Sequence, residues 1–176
     1  MLLLALVLIF GVAVLATAFR RVPRDSIGVV ERLGRLLPDV HKPGWVVVKP
    51  YIERLVVIPT TPFPIQCSTE GDAAGSPVKL SMTAQCWIQD AFKFQLNIPP
   101  KRYHDAKERA ALFVTGLMNS EGRALLREYF AATEATADAA QSGDFSERLA
   151  GRIEWHARNV GIKVTGVRVS GFDVRA

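Results

Sequence analysis

The side chains best suited to acid–base, redox or nucleophilic work are few and scattered. Histidines stand at His41 in a turn, His104 near the start of one helix-like stretch and His156 near the end of another. A general base needs a partner within hydrogen-bond reach. No local motif unites any two of the three, and surface imidazoles are the simpler account. Cys67 and Cys86 have neither C-x-x-C spacing nor a histidine at ligand spacing, so no metal site or disulfide framework is signalled. Each is in phase with apolar neighbours, which favours small buried hydrophobes over redox chemistry. A serine hydrolase would want a G-x-S-x-G elbow, and the chain has none. Gly71 to Ser76 superficially resembles a phosphate loop, but that loop needs four residues between its glycines and then a lysine. Ser76 stands where the lysine belongs. No catalytic residue, cofactor or metal is expected, and the chain is taken as a non-enzyme.

The remaining chemistry is that of a bilayer and its surface. Met1 to Phe19 carries no charged side chain, whereas every Lys, Arg, Asp and Glu follows from Arg20 onward. As a helix, Leu2 to Phe19 would span roughly 27 Å at about 1.5 Å per residue, close to the ~30 Å hydrocarbon core. Leu4, Leu8, Phe10, Leu15 and Phe19 are the candidate anchor residues of a transmembrane helix over 1–19. A cleaved signal peptide competes, because Ala16, Thr17 and Ala18 form a small-x-small site, but it wants a basic n-region and a shorter apolar run. A buried core helix is the third reading, and no polar face exists to meet water.

Arg20, Arg21 and Arg24 follow this segment closely, so positive charge marks its C-terminal side and the domain is expected on the cytoplasmic face. The same arginines are candidate contacts for anionic headgroups, at about 1 kcal/mol each. Trp45, after Pro43 and Gly44 and beside basic residues, suits the headgroup layer equally well as it suits the core at a strand start. The net charge of +5 could suggest nucleic acid, but Lys and Arg are interspersed with acids and form no dense run. A solvated surface explains them, and no nucleic-acid partner is expected.

These residues must be positioned by one α+β domain over 20–176, since 176 residues leave room for an ordinary domain and a short appendage. Short β-rich runs at Ile27–Leu33, Trp45–Val48, Ile52–Ile58 and Phe63–Cys67 are punctuated by prolines and glycines. Glu70–Ser76 is expected as a loop. The clearest strand, Pro77 to Gln89, alternates Val78, Leu80, Met82, Ala84, Cys86 and Ile88 against a polar face. Trp87 interrupts that polar face and is a candidate subunit contact, or a packing contact for a helix.

From Pro99 the period becomes helical, with Tyr103, Ala106, Ala110, Phe113 and Leu117 on one stripe and the proline pair as its start. A second helical stretch covers about Ser120 to Ala140. A third runs from Phe145 to Val160, with Asp144 as cap, Glu147 three residues on, and Gly161 in the left-handed position after its end. Ile162 to Val174 is a last strand whose apolar phase slips at Gly166 and again near Gly171, as bulges would make it.

The string DSIGVVERLGRLLPDVHKPGWVVVKPYIERLVVI, Asp25 to Ile58, resembles the opening of the stomatin, prohibitin and flotillin superfamily, also called SPFH or band 7. That opening is similarly a G-V-V strand, an R-x-G-R turn, a loop ending in P-G and a P-x-I-x-R step. The end of the chain, NVGIKVTGVRVSGFDV, looks like the family's G-I-x-V-x-x-V-x-I strand after a long helix. The resemblance implies a membrane helix followed by a single SPFH/band 7-like domain lying on the membrane. It also implies homo-oligomers or hetero-oligomers with related subunits, organisation of a membrane microdomain, and control of neighbours such as proteases and channels. Family members usually continue into a charged coiled coil, and this sequence stops at Ala176 directly after the strand. The expectation is a short member without that wall. Two functions follow from the resemblance: an oligomerising scaffold, or a non-assembling regulatory subunit of one membrane protease or channel. A secreted binding domain released by signal cleavage is the third.

Overall fold

The computed structural model describes residues 11, 16–73, 76–99, 105–131 and 143–174. It divides into two compact units, Met1–Thr61 and Pro62–Ala176.

The first unit is built of strands. β1 (Phe19–Val22) pairs antiparallel with β4 (Gly44–Val47), and a separate three-stranded antiparallel sheet runs in the order β3 (Arg35–His41), β2 (Ser26–Arg32), β5 (Glu53–Pro59). Its core is small and branched: Val22, Val30, Val46 and Val48 are buried together, with Leu37 and Leu55 packed against them. β2 approaches β1 closely because Gly28 has no side chain; a Cβ there would stand 2.8 Å from Val22 Cγ2 and 2.9 Å from Leu55 Cδ1. The turn from β2 to β3 is made by Leu33 and Gly34, both at positive φ.

Two expectations change here. Phe19, placed at the end of a helix by its apolar neighbours, begins a strand, and residues 16–18 just before it are helical. The cause is the ladder to β4, in which Phe19 faces Val47 and Arg21 faces Trp45 while Val22 is drawn into the core. Cross-strand pairing outweighs the apolar run. Secondly, Arg35–His41 forms a strand through Pro38, which is tolerated because β3 is an edge.

The second unit is an antiparallel sheet in the order β6 (Phe63–Ala73), β7 (Ser76–Ile88), β8 (Ile162–Val174), carrying helices α1 (Ala91–Asn97), α2 (Ala106–Tyr129) and α3 (Gly143–Asn159). All six alternating apolar residues of β7, from Val78 to Ile88, are buried. α2 lies over β6 and α3 over β8. Where their C- and N-terminal ends meet, Phe130, Phe145 and Phe172 form a cluster, with Tyr129 edge-on to Phe145 at 5.3 Å. The register of β8 against β7 shifts twice, at Thr165–Arg168 around Gly166 (φ 63°) and at Val169–Gly171, where the sequence places its phase slips.

Other expectations are corrected. Of the expected loop Glu70–Ser76, residues 70–73 and Ser76 are strand: β6 continues to Ala73, with Glu70 opposite Lys79 and Ala73 opposite Ser76, and residues 74–75 lie outside the described ones. The ladder pairs this glycine-rich text because Thr69 and Ala73 point into the core. Helix α2 starts at Ala106 and is capped by Asp105 and Glu108 in a reciprocal box, not by the prolines. Its buried stripe is Ala106, Ala110, Val114, Met118, Gly122 and Leu125, so Phe113 and Leu117 sit beside the core instead of on its axis. The second helical stretch is, from Ser120 to Tyr129, the continuation of α2, and its residues 132–140 lie outside the described ones. Helix α3 already includes Gly143, and Asp144 lies in its first turn with its carboxylate accepting from Arg148 Nε at 3.0 Å.

Helix α1 is an addition. Asp90 caps it by accepting from the Lys93 amide at 3.0 Å, and the carbonyl of Gly161 accepts from the amides of Gln89 and Asp90. Buried Arg109 ties α1 to α2: its guanidinium donates to the Ile98 carbonyl and to Gln95 Oε1 and lies over the Phe94 ring. Among the described residues no helix is long and apolar enough to cross a membrane, and the anchor candidates Leu4, Leu8, Phe10 and Leu15 lie outside them.

Candidate lipid-contact site

In the ribbon of β1 and β4, alternation puts Phe19 and Arg21 on one face with their partners Val47 and Trp45, and Arg20 and Val22 on the other with Val46 and Gly44. Val22 and Val46 fill the core. The opposite face is open: Trp45 is 71% exposed, and Phe19 and Val47 are exposed beside it. A core position for Trp45 is thereby excluded. Arg21 is its cross-strand neighbour, so the ribbon presents two aromatics, a valine and a guanidinium to its surroundings.

A chain of backbone hydrogen bonds gathers further apolar groups at the end where the chain enters β1. The Val48 amide donates to the Ala18 carbonyl at 2.8 Å, the Ile52 amide to Lys49, and the Leu33 amide to the Ile52 carbonyl at 3.2 Å. Leu33 and Tyr51 hold left-handed backbone, at φ 48° and 65°, at a cost of about 1 to 2 kcal/mol each. They are 79% and 90% exposed, and Ile52 between them is exposed as well. Isolated exposed hydrophobes are ordinary; several at one end, two on strained backbone, suggest a contact surface.

Beside this end lies a hollow of about 650 Å³, lined by Arg20 and Arg21 of β1, by Glu53, Arg54, Leu55 and Val57 of β5, and by Tyr51. Consecutive residues of both strands line it, as expected where β1 and β5 turn their unpaired edges towards it. Its carboxylate is already engaged. Glu53 accepts from the Lys49 amide at 2.9 Å and from Arg32 Nε at 2.9 Å, and these two contacts, the amide foremost, hold its carboxyl below the ordinary glutamate value. Arg20, Arg21 and Arg54 form no ion pair among the described residues. The lining is therefore cationic.

Arg24 is carried past the end of β1 into the exposed turn before β2 and does not line the hollow. Arg54, Tyr51 and Leu33 take part without having been singled out by the sequence; the P-x-I-x-R step that contains Arg54 was the available signal. Trp87 belongs to the second unit. It is half-buried on the outer face of β7, opposite Lys163 of β8, whose ammonium lies 5.3 Å from the ring centre. One face of the indole is thus covered by the next strand.

Among the described residues the catalytic candidates are not brought together. His156 Nε2 faces Glu121 Oε1 at 3.5 Å on the surface, His41 ends β3, and His104 lies outside the described residues. Burial pushes the Cys86 thiol up to about 12 and raises Cys67 as well. Among the described residues no three His, Cys, Asp or Glu side chains are grouped to hold a metal ion.

The chain belongs to the SPFH domain / Band 7 family, whose model matches residues 20–174. Members of this family are generally membrane-associated scaffolds or regulators, and generally not enzymes. No curated protein matches the chain.

Proposed function

We propose that this protein is a single-pass membrane scaffold without enzymatic activity, anchored by the uncharged segment that precedes β1, with its domain on the cytoplasmic face and self-associating in the membrane plane. The observation that carries the reading is the clustering of Phe19, Trp45, Val47 and Tyr51 with Arg20 and Arg21 at the end of the first unit that adjoins the uncharged segment. Aromatic and cationic side chains beside an apolar segment suit the interfacial layer of a bilayer, and positive charge favours its cytoplasmic side. Confinement to a plane raises the effective concentration of subunits, so a modest contact between domains suffices for assembly. Trp87 is kept as a candidate for that contact, on the ring surface that Lys163 leaves open.

The full-length protein should remain in membranes after carbonate extraction and run in mild detergent as a particle several times its monomer mass. A variant beginning at Ala16 keeps the Ala18–Val48 hydrogen bond and should become soluble. A strictly monomeric full-length particle would sink the scaffold and favour a non-assembling regulatory subunit of a membrane protease or channel. A variant from Ala16 that still resists carbonate would remove the anchor.

A further inference from the structure

The hollow between β1 and β5 offers more than diffuse attraction to a charged surface. We infer that it is a binding site for the phosphate headgroup of an anionic phospholipid, held by Arg20, Arg21 and Arg54; the inference rests on the membrane reading above and gives it a ligand.

Three observations carry it. The first is charge: three guanidiniums without ion-pair partners among the described residues line one hollow, and its carboxylate, Glu53, is engaged by Arg32 and the Lys49 amide. Although Glu31 stands opposite Arg54 in the ladder, it forms no ion pair with it, and guanidiniums without such pairs gain from a phosphate that enters, because their donors match phosphate oxygens in pairs. The second is size, since about 650 Å³ is within the range of small-molecule sites and accommodates a headgroup instead of a bare ion. Donors are also available from unpaired strand edges.

The third is position. Tyr51 and Thr17 stand in the lining, and exposed Phe19 directly precedes Arg20. A phosphate in the hollow would thus have apolar and aromatic side chains at the same end, towards which acyl chains could run. A soluble acidic strand paired to the β1 or β5 edge would satisfy the same arginines but would make no use of that apolar end. A membrane lipid uses both.

The test uses the full-length protein in a neutral detergent. Short-chain dihexanoyl phosphatidic acid is titrated against dihexanoyl phosphatidylcholine, inorganic phosphate and a hexaglutamate peptide. Wild type should bind the phosphatidic acid saturably, and at least tenfold more tightly than any of the other three. The double variant Arg20→Gln/Arg54→Gln should weaken that binding at least tenfold, and Arg24→Gln, outside the hollow, less than twofold. Binding should also weaken with salt. Equal losses from Arg24→Gln would reduce the effect to diffuse charge and overturn the site, as would an unchanged double variant whose thermal melting matches wild type. Inorganic phosphate binding as tightly as the lipid would make it a free-phosphate site. Tighter binding of hexaglutamate would replace the lipid by an acidic strand. Carbonate extraction of wild type reports on the anchor separately: an extractable protein that selects phosphatidic acid loses the anchor and keeps the site, and an integral protein without that selectivity does the reverse.

Discussion

Cys67 and Cys86 illustrate how a side chain's options are set by its neighbours in the ladder. Cys67 faces Met82 across β6 and β7, whereas Cys86 faces Phe63. The two thiols are therefore four residues apart along the hairpin, about 13 Å at ~3.3 Å per residue, well beyond the ~7 Å limit on Cα separation for a disulfide. No compartment would join them within one native chain, so their redox state cannot report which side of a membrane the domain occupies. Their reactivity is graded instead. Cys86 is fully buried with its thiol pushed up to about 12, and Cys67 is half-buried with a smaller rise. Because the thiolate is the nucleophile, a maleimide at pH 7.5 should label native Cys67 at least tenfold faster than Cys86, as followed by mass spectrometry of the Cys67→Ser and Cys86→Ser variants. Equal rates would mean that β7 opens as readily as the outer hairpin strand.

The elements differ in how openly the sequence announces them. β7 is legible because it is central and buried on one face only, so its thirteen residues alternate almost without fault. The slips in β8 are equally legible, since Gly166 and Gly171 sit where the apolar phase breaks. β1 is hidden: FRRV looks like a charged segment after an apolar run, and only its partner, more than twenty residues away, makes it a strand. Arg54 is hidden for the same reason, because the hollow joins it to arginines far back in the sequence. Helix α1, seven residues long, is too short to show a period, and its start depends on a tertiary contact with Gly161. That glycine has φ +80°, and a Cβ on it would stand 2.3 Å from the Asp90 carbonyl oxygen and 2.9 Å from the Phe94 amide nitrogen. Gly161→Ala should cost on the order of 3 kcal/mol, read as a lower urea midpoint, with faster amide exchange in α1. A midpoint within experimental error of wild type would mean that α1 does not depend on this approach.

At the scale of the molecule, the chain forms two units, and an acid-sensitive clamp stands in the first. There the Glu53 carboxyl is depressed below its ordinary value of 4.5 by the Lys49 amide and Arg32. A depressed carboxylate contributes stability that is fully present above the unfolded value and is lost as pH falls through the folded one. Amide exchange in β2 and β5, corrected for intrinsic rates, should therefore accelerate below about pH 4.5. Glu53→Gln should be less stable at pH 7 and nearly indifferent over the same acid range. If wild type and Glu53→Gln respond to acid alike, the clamp at the end of β2 and β5 contributes nothing measurable.

The antiparallel sense of β1 and β4 has a mechanical consequence. Phe19 faces Val47, so the chain enters β1 at the same end at which it leaves β4. A pull on the polypeptide ahead of Phe19, directed away from that end, loads the ladder like a zipper, one rung after another, beginning with the bond between Ala18 and Val48. Rungs broken singly yield at lower force than rungs sheared together. Val22, seated in the valine core, is the last to release. Peeling Phe19–Val22 from β4 would free the chain as far as Asp25, a stretch of about 24 Å when extended at ~3.4 Å per residue, before the sheet of β3, β2 and β5 took any tension. The ribbon is placed to act as a compliant tether, absorbing displacement at the start of the chain while the sheet behind it keeps its shape.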